Sequence, residues 1–74
     1  MDQDRLPEES VETLDVFAAP WGREVMLQNV THESGMALLR VRIRENRRFT
    51  ILDLDPATAE HWGRAMLAWA EARK

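Results

Sequence analysis

Five arginines, Arg40, Arg42, Arg44, Arg47 and Arg48, fall within nine residues, with Glu45 the single acidic residue among them and Phe49 directly after. A guanidinium offers a planar fork to phosphate or carboxylate, and a phenyl ring offers a face on which a base can stack. The chemistry open to this cluster is therefore recognition. It suits the phosphates of a single-stranded nucleic acid, the carboxylates of a partner protein, or acidic side chains on neighbouring strands, for which Glu12, Asp15 and Glu24 are the candidates. Trp21, between Pro20 and Gly22, puts a large ring in a turn, where it is hard to bury and could anchor a partner.

Residues suited to catalysis are sparse. His32 falls in a turn and His61 on a helix one position off its apolar stripe, with no histidine pair at metal-binding spacing. Asp53 and Asp55 are two apart at a strand end, Ser10 falls in the expected tail and Ser34 in a turn, and three glycines make no phosphate-binding loop. The chain has no cysteine, which excludes disulfides, thiolate metal sites and a cysteine nucleophile. Enclosing a catalytic cleft of several hundred Å3 is also difficult for so short a chain. The expectation is a non-enzymatic protein without a cofactor.

The 74 residues make one small domain. Residues 1–15 hold six acidic side chains against Arg5, while the rest holds nine basic and seven acidic ones, so a formal charge of −3 conceals a mildly basic body. The overall balance argues against a dedicated nucleic-acid binder. Residues 1–12 are expected to be an acidic flexible tail and residues 13–74 the single domain, since the first ten carry few large apolar side chains to offset the entropy of ordering them. No apolar run approaches a membrane span. The acidic start has no apolar stretch behind it, so neither a signal peptide nor a membrane partner is expected, and the expected address is the cytoplasm.

The elements that must position these residues follow from period and turn chemistry. Thr13–Ala19, Glu24–Thr31, Met36–Arg44 and Phe49–Leu54 read as strands joined by short turns, which implies an antiparallel meander. Within the third, Leu39, Val41 and Ile43 alternate with Arg40, Arg42 and Arg44. Val30 breaks the alternation of the second, which suggests a bulge there. Asp55 is a suitable helix cap, Pro56 suits the first helical position, and Glu60 falls near the positive end of the dipole. Ala59, Trp62, Met66, Trp69 and Ala70 then recur as one apolar stripe, in which the two tryptophans are expected to supply core volume and Gly63 to allow close approach to the sheet. The predicted fold is α+β: a four-stranded antiparallel meander followed by one C-terminal helix packed on one sheet face (ββββα).

One helix covers one face, so the arginines are expected on the other. Apolar neighbours accompany them in either register of the last hairpin: Phe49 and Ile51 with an even loop, Leu52 and Leu54 with an odd one. A face of mixed guanidinium and apolar surface fits one that meets a partner. The expected function is a small protein-interaction module, homodimeric through the sheet face or the helix or bound to another protein. The alternative is single-stranded nucleic-acid binding through the arginine strand.

Pro20-Trp21-Gly22-Arg23-Glu24, the run Leu38–Glu45, Arg48-Phe49-Thr50 and Asp53-Leu54-Asp55-Pro56 together resemble a group of small uncharacterised bacterial proteins over about residues 13–72. That resemblance implies a bacterial cytoplasmic protein and carries no activity. A looser likeness, of topology alone, is to the transcriptional coactivator PC-four-like, single-strand-binding fold, which implies four strands, one helix and a dimer. It rests on the arginine-rich third strand and on Leu54-Asp55-Pro56 leading to Trp62, at a longer spacing than that family uses and with fewer strand lysines.

Overall fold

The computed structural model describes residues 9–74. Four strands, β1 (Glu9–Ala19), β2 (Arg23–His32), β3 (Ala37–Glu45) and β4 (Arg48–Leu54), form one antiparallel sheet in the order β1-β2-β3-β4. The helix α1 (Pro56–Glu71) follows. The ββββα layout is thus as the hydrophobic periodicity implied.

Turn chemistry fixes the register. Trp21 and Gly22 adopt φ values of 62° and 74° between β1 and β2, and the bend brings Ala19 opposite Arg23. Glycine takes this left-handed conformation at no steric cost, whereas tryptophan is strained by it. Between β3 and β4 a two-residue connection sets Glu45 opposite Arg48, with Asn46 at φ 60°, a conformation asparagine tolerates. The even loop is therefore realised, and Phe49 and Ile51 face Arg44 and Arg42.

Two expectations about β1 and β2 change. β1 begins at Glu9, not at Thr13, so residues 9–12 of the expected tail are strand and residues 1–8 lie outside the described residues. These four residues pair with Asn29–His32, so the length of β2, rather than local composition, extends β1. The bulge falls in β1 at Leu14, between Thr13 and Asp15, while β2 pairs with β3 in unbroken register. Val30 therefore stays on the arginine side, opposite Val11 and Leu38, where it is fully buried.

Very little else is buried. Val41 and Leu54, on the helix side, complete a core of three apolar residues among the described ones. Each such side chain contributes about 1.5–3 kcal/mol when fully removed from water. The helix has no buried residue and touches β3 and β4 alone. Trp62 is 36% and Trp69 61% exposed, so the tryptophans do not fill a core as their spacing suggested. The stripe is real, but α1 lies to one side of the sheet, and Ala59, Trp62 and Met66 line an open groove between the two. Close approach does not require Gly63 either, because a Cβ there would meet nothing within 4 Å.

Local interactions fix the helix ends. The Thr58 hydroxyl donates to the Asp55 carboxylate, and no backbone N–H closes a cap bond with that side chain. The Thr58 hydrogen bond draws the Asp55 carboxyl below its ordinary value. Glu60, expected near the dipole, instead accepts from Arg64 at 2.7 and 3.0 Å, an exposed pair one turn apart. Arg73 donates to the Trp69 carbonyl at 3.2 Å and lies 4.4 Å over the Trp69 ring. No helix among the described residues is long and apolar enough to cross a membrane.

Candidate interaction surface

Alternation along β3 sends Arg40, Arg42 and Arg44 to the face away from α1, and Leu39, Val41 and Ile43 toward it. Three identical side chains on one strand acquire three different settings. Arg40 donates from Nε and Nη2 to the two oxygens of Asp53 at 2.8 and 3.0 Å, a two-pronged pair across β3 and β4. That bond lowers the Asp53 pKa and raises that of Arg40, against a smaller opposing effect of burial. Arg44 lies 3.5 Å from Glu24 on β2.

Arg42 has neither partner. It stands between Met26 on β2 and Ile51 on β4, with its guanidinium 4.4 Å over the Phe49 ring. Its Nε is sealed from solvent without a hydrogen-bond partner, so the ring face is its principal contact. Of the acidic residues expected to pair with these arginines, Glu24 does so. Glu12 and Asp15 stand opposite Asn29 and Leu27 on the helix side of β1, and Asp53 takes the place expected for them. Asp53 was visible in the sequence, but its partnership with Arg40 depended on the hairpin register.

Arg47 and Arg48 end the β3–β4 hairpin, are exposed, and make no ion pair among the described residues. The Pro20-Trp21-Gly22 turn lies at the same end of the sheet, because Arg23 pairs with Glu45 in register and through a 2.6 Å ion pair. Trp21 is 88% exposed there. The structure thus brings Arg42 and Phe49 together, occupies Arg40 and Arg44 with carboxylates, and leaves Trp21, Arg47 and Arg48 at one rim.

The helix side carries a second surface, which charge patterns did not single out. An apolar groove of about 350 Å3 runs between α1 and the sheet, floored by Val25, Leu27 and Val41 and walled by Phe17, Trp62 and Met66. Its signal in the sequence was the apolar stripe itself, read there as core. Among the described residues no group of three or more histidine, aspartate or glutamate side chains could hold a metal ion.

A four-stranded meander with one helix set to the side, one face carrying charge-paired arginines and the other an open apolar groove, defines a small α+β domain with much unpartnered surface. The chain belongs to DUF6967, a family of unknown function, which it matches over residues 8–72, all four strands and the helix included. No curated protein and no solved structure matches it.

Proposed function

We propose that the chain is a non-enzymatic interaction module that works as a homodimer. The observation that carries this reading is the helix: sixteen residues, two of them tryptophan, with none buried. An amphipathic helix in water is held mainly by burial of its apolar face, and here its own sheet provides little. Small domains commonly make good such a deficit by oligomerising. The arginine face favours protein over nucleic acid, because phosphates would have to displace Asp53 from Arg40 and Glu24 from Arg44. The test is the mass in solution from low to high micromolar concentration, by sedimentation or light scattering. A species of twice 8.6 kDa supports the module as proposed. A strict monomer that binds a labelled single strand at low salt, with binding lost in R40A/R42A/R44A, would replace it with the nucleic-acid reading.

A further inference from the structure

Seen from the helix side, an apolar band from Phe17 through Val25 and Leu27 to Leu39, Val41 and Ile43 crosses the sheet, and the helix covers only half of it. α1 rests on β3 and β4, and toward β1 the floor at Val25 and Leu27 lies open as far as Phe17 on the opposite wall. The helix presents a ridge to match. Trp62, Met66 and Trp69 follow at spacings of four and three, so they share one flank, with exposures of 36%, 62% and 61%. Phe17 across the groove is 46% exposed. With about 150–250 Å2 for each aromatic, these four side chains leave on the order of 400–500 Å2 of apolar surface in water. Adding the half-buried Val25 and Leu27 brings the patch to on the order of 500–600 Å2, close to the apolar share of the ~800 Å2 per partner that a stable interface buries.

We propose that the occupant of the groove is α1 of a second copy of this chain, an inference that rests on the homodimer reading above. Groove and ridge adjoin on one molecule, so a single two-fold rotation can seat each ridge in the other groove, as a closed dimer requires. The axis runs parallel to the strands and lays the β4 side of one sheet over the β1 side of the other. An axis across the strands would set helix against helix and leave both β1–β2 halves bare. The outer edge of β1 is a poorer route to pairing, because its bulge at Leu14 and its acidic residues disfavour strand-to-strand docking between copies.

The absence of cysteine allows a direct test with single cysteines. Asp15→Cys and Met66→Cys chains, mixed and mildly oxidised, are expected to yield a covalent mixed dimer in excess over either variant alone. In parallel, M66E and W69E are expected to weaken association at least tenfold while far-UV circular dichroism stays unchanged, since both side chains are already exposed in the single chain. A dimer by mass that gives no mixed cross-link, or that M66E and W69E leave intact, overturns this geometry while sparing the homodimer. A parent chain that stays monomeric overturns the homodimer reading itself.

Discussion

Asp53 gives the arginine face its clearest pH dependence. Arg40 donates to both of its oxygens and holds the carboxyl below its ordinary value of 3.8. Because folding lowers this pKa, the stabilisation is complete above the unfolded carboxylate value and is lost as pH falls through the lower folded one. Asp53→Asn should therefore cost about 0.2–1 kcal/mol near neutrality, the range of partly exposed ion pairs. Its stability should converge with that of the parent in acid. Urea unfolding at several pH values checks both, and a deficit of constant size in acid would contradict the assignment. Trp21 is a different residue-scale case, strained and 88% exposed. Trp21→Gly removes a left-handed side-chain clash and loses almost no burial, so stability should hold or rise by up to about 1 kcal/mol. Trp21→Val, β-branched at φ 62°, should fall by about 1–2 kcal/mol in the same assay.

At the scale of elements, the helix separates propensity from packing. Gly63 sits mid-helix with open space where a Cβ would project. Gly63→Ala should then raise stability by about 0.5–1 kcal/mol, read from thermal melts at dilutions where the chain is single. Val30→Ala should do the opposite by about 2 kcal/mol, because Val30 is fully enclosed between Val11 and Leu38. The contrast also marks what could be read in advance. β3 was legible because β-branched and basic residues alternate along it with period two, and α1 because Asp55-Pro56 opens a stripe of regular spacing. The first four residues of β1 were not, since Glu9-Ser10-Val11-Glu12 has weak strand character and is ordered by pairing with β2. The arginine cluster was visible, yet the partners of its members depended on a two-residue turn. How far a helix covers a sheet is set by where its axis lies, and neither period nor composition encodes that.

The molecule as a whole joins a complete hydrogen-bonded sheet to an incomplete core. Val30 is enclosed on one face and Val41 and Leu54 on the other, so no single apolar cluster spans the fold. A domain of this size seldom draws more than about 3–5 kcal/mol from its own core, and this one leaves Phe17, Met66 and Trp69 largely in water. If the groove is filled by a second copy, association adds to the stability of the folded chain, and that stability must depend on protein concentration. Each tenfold increase adds about 1.4 kcal/mol to a pair, or about 0.7 kcal/mol per chain, which corresponds to roughly 3–5 °C in melting temperature for a domain of this length. Melting curves over a hundredfold range of concentration should therefore shift upward by about twice that amount. M66E/W69E should melt lower and at a temperature that does not move with concentration, because it unfolds as a single chain. A parent chain whose melting point ignores concentration would mean that its three-residue core and four-stranded ladder suffice, and that the apolar groove is filled in some other way.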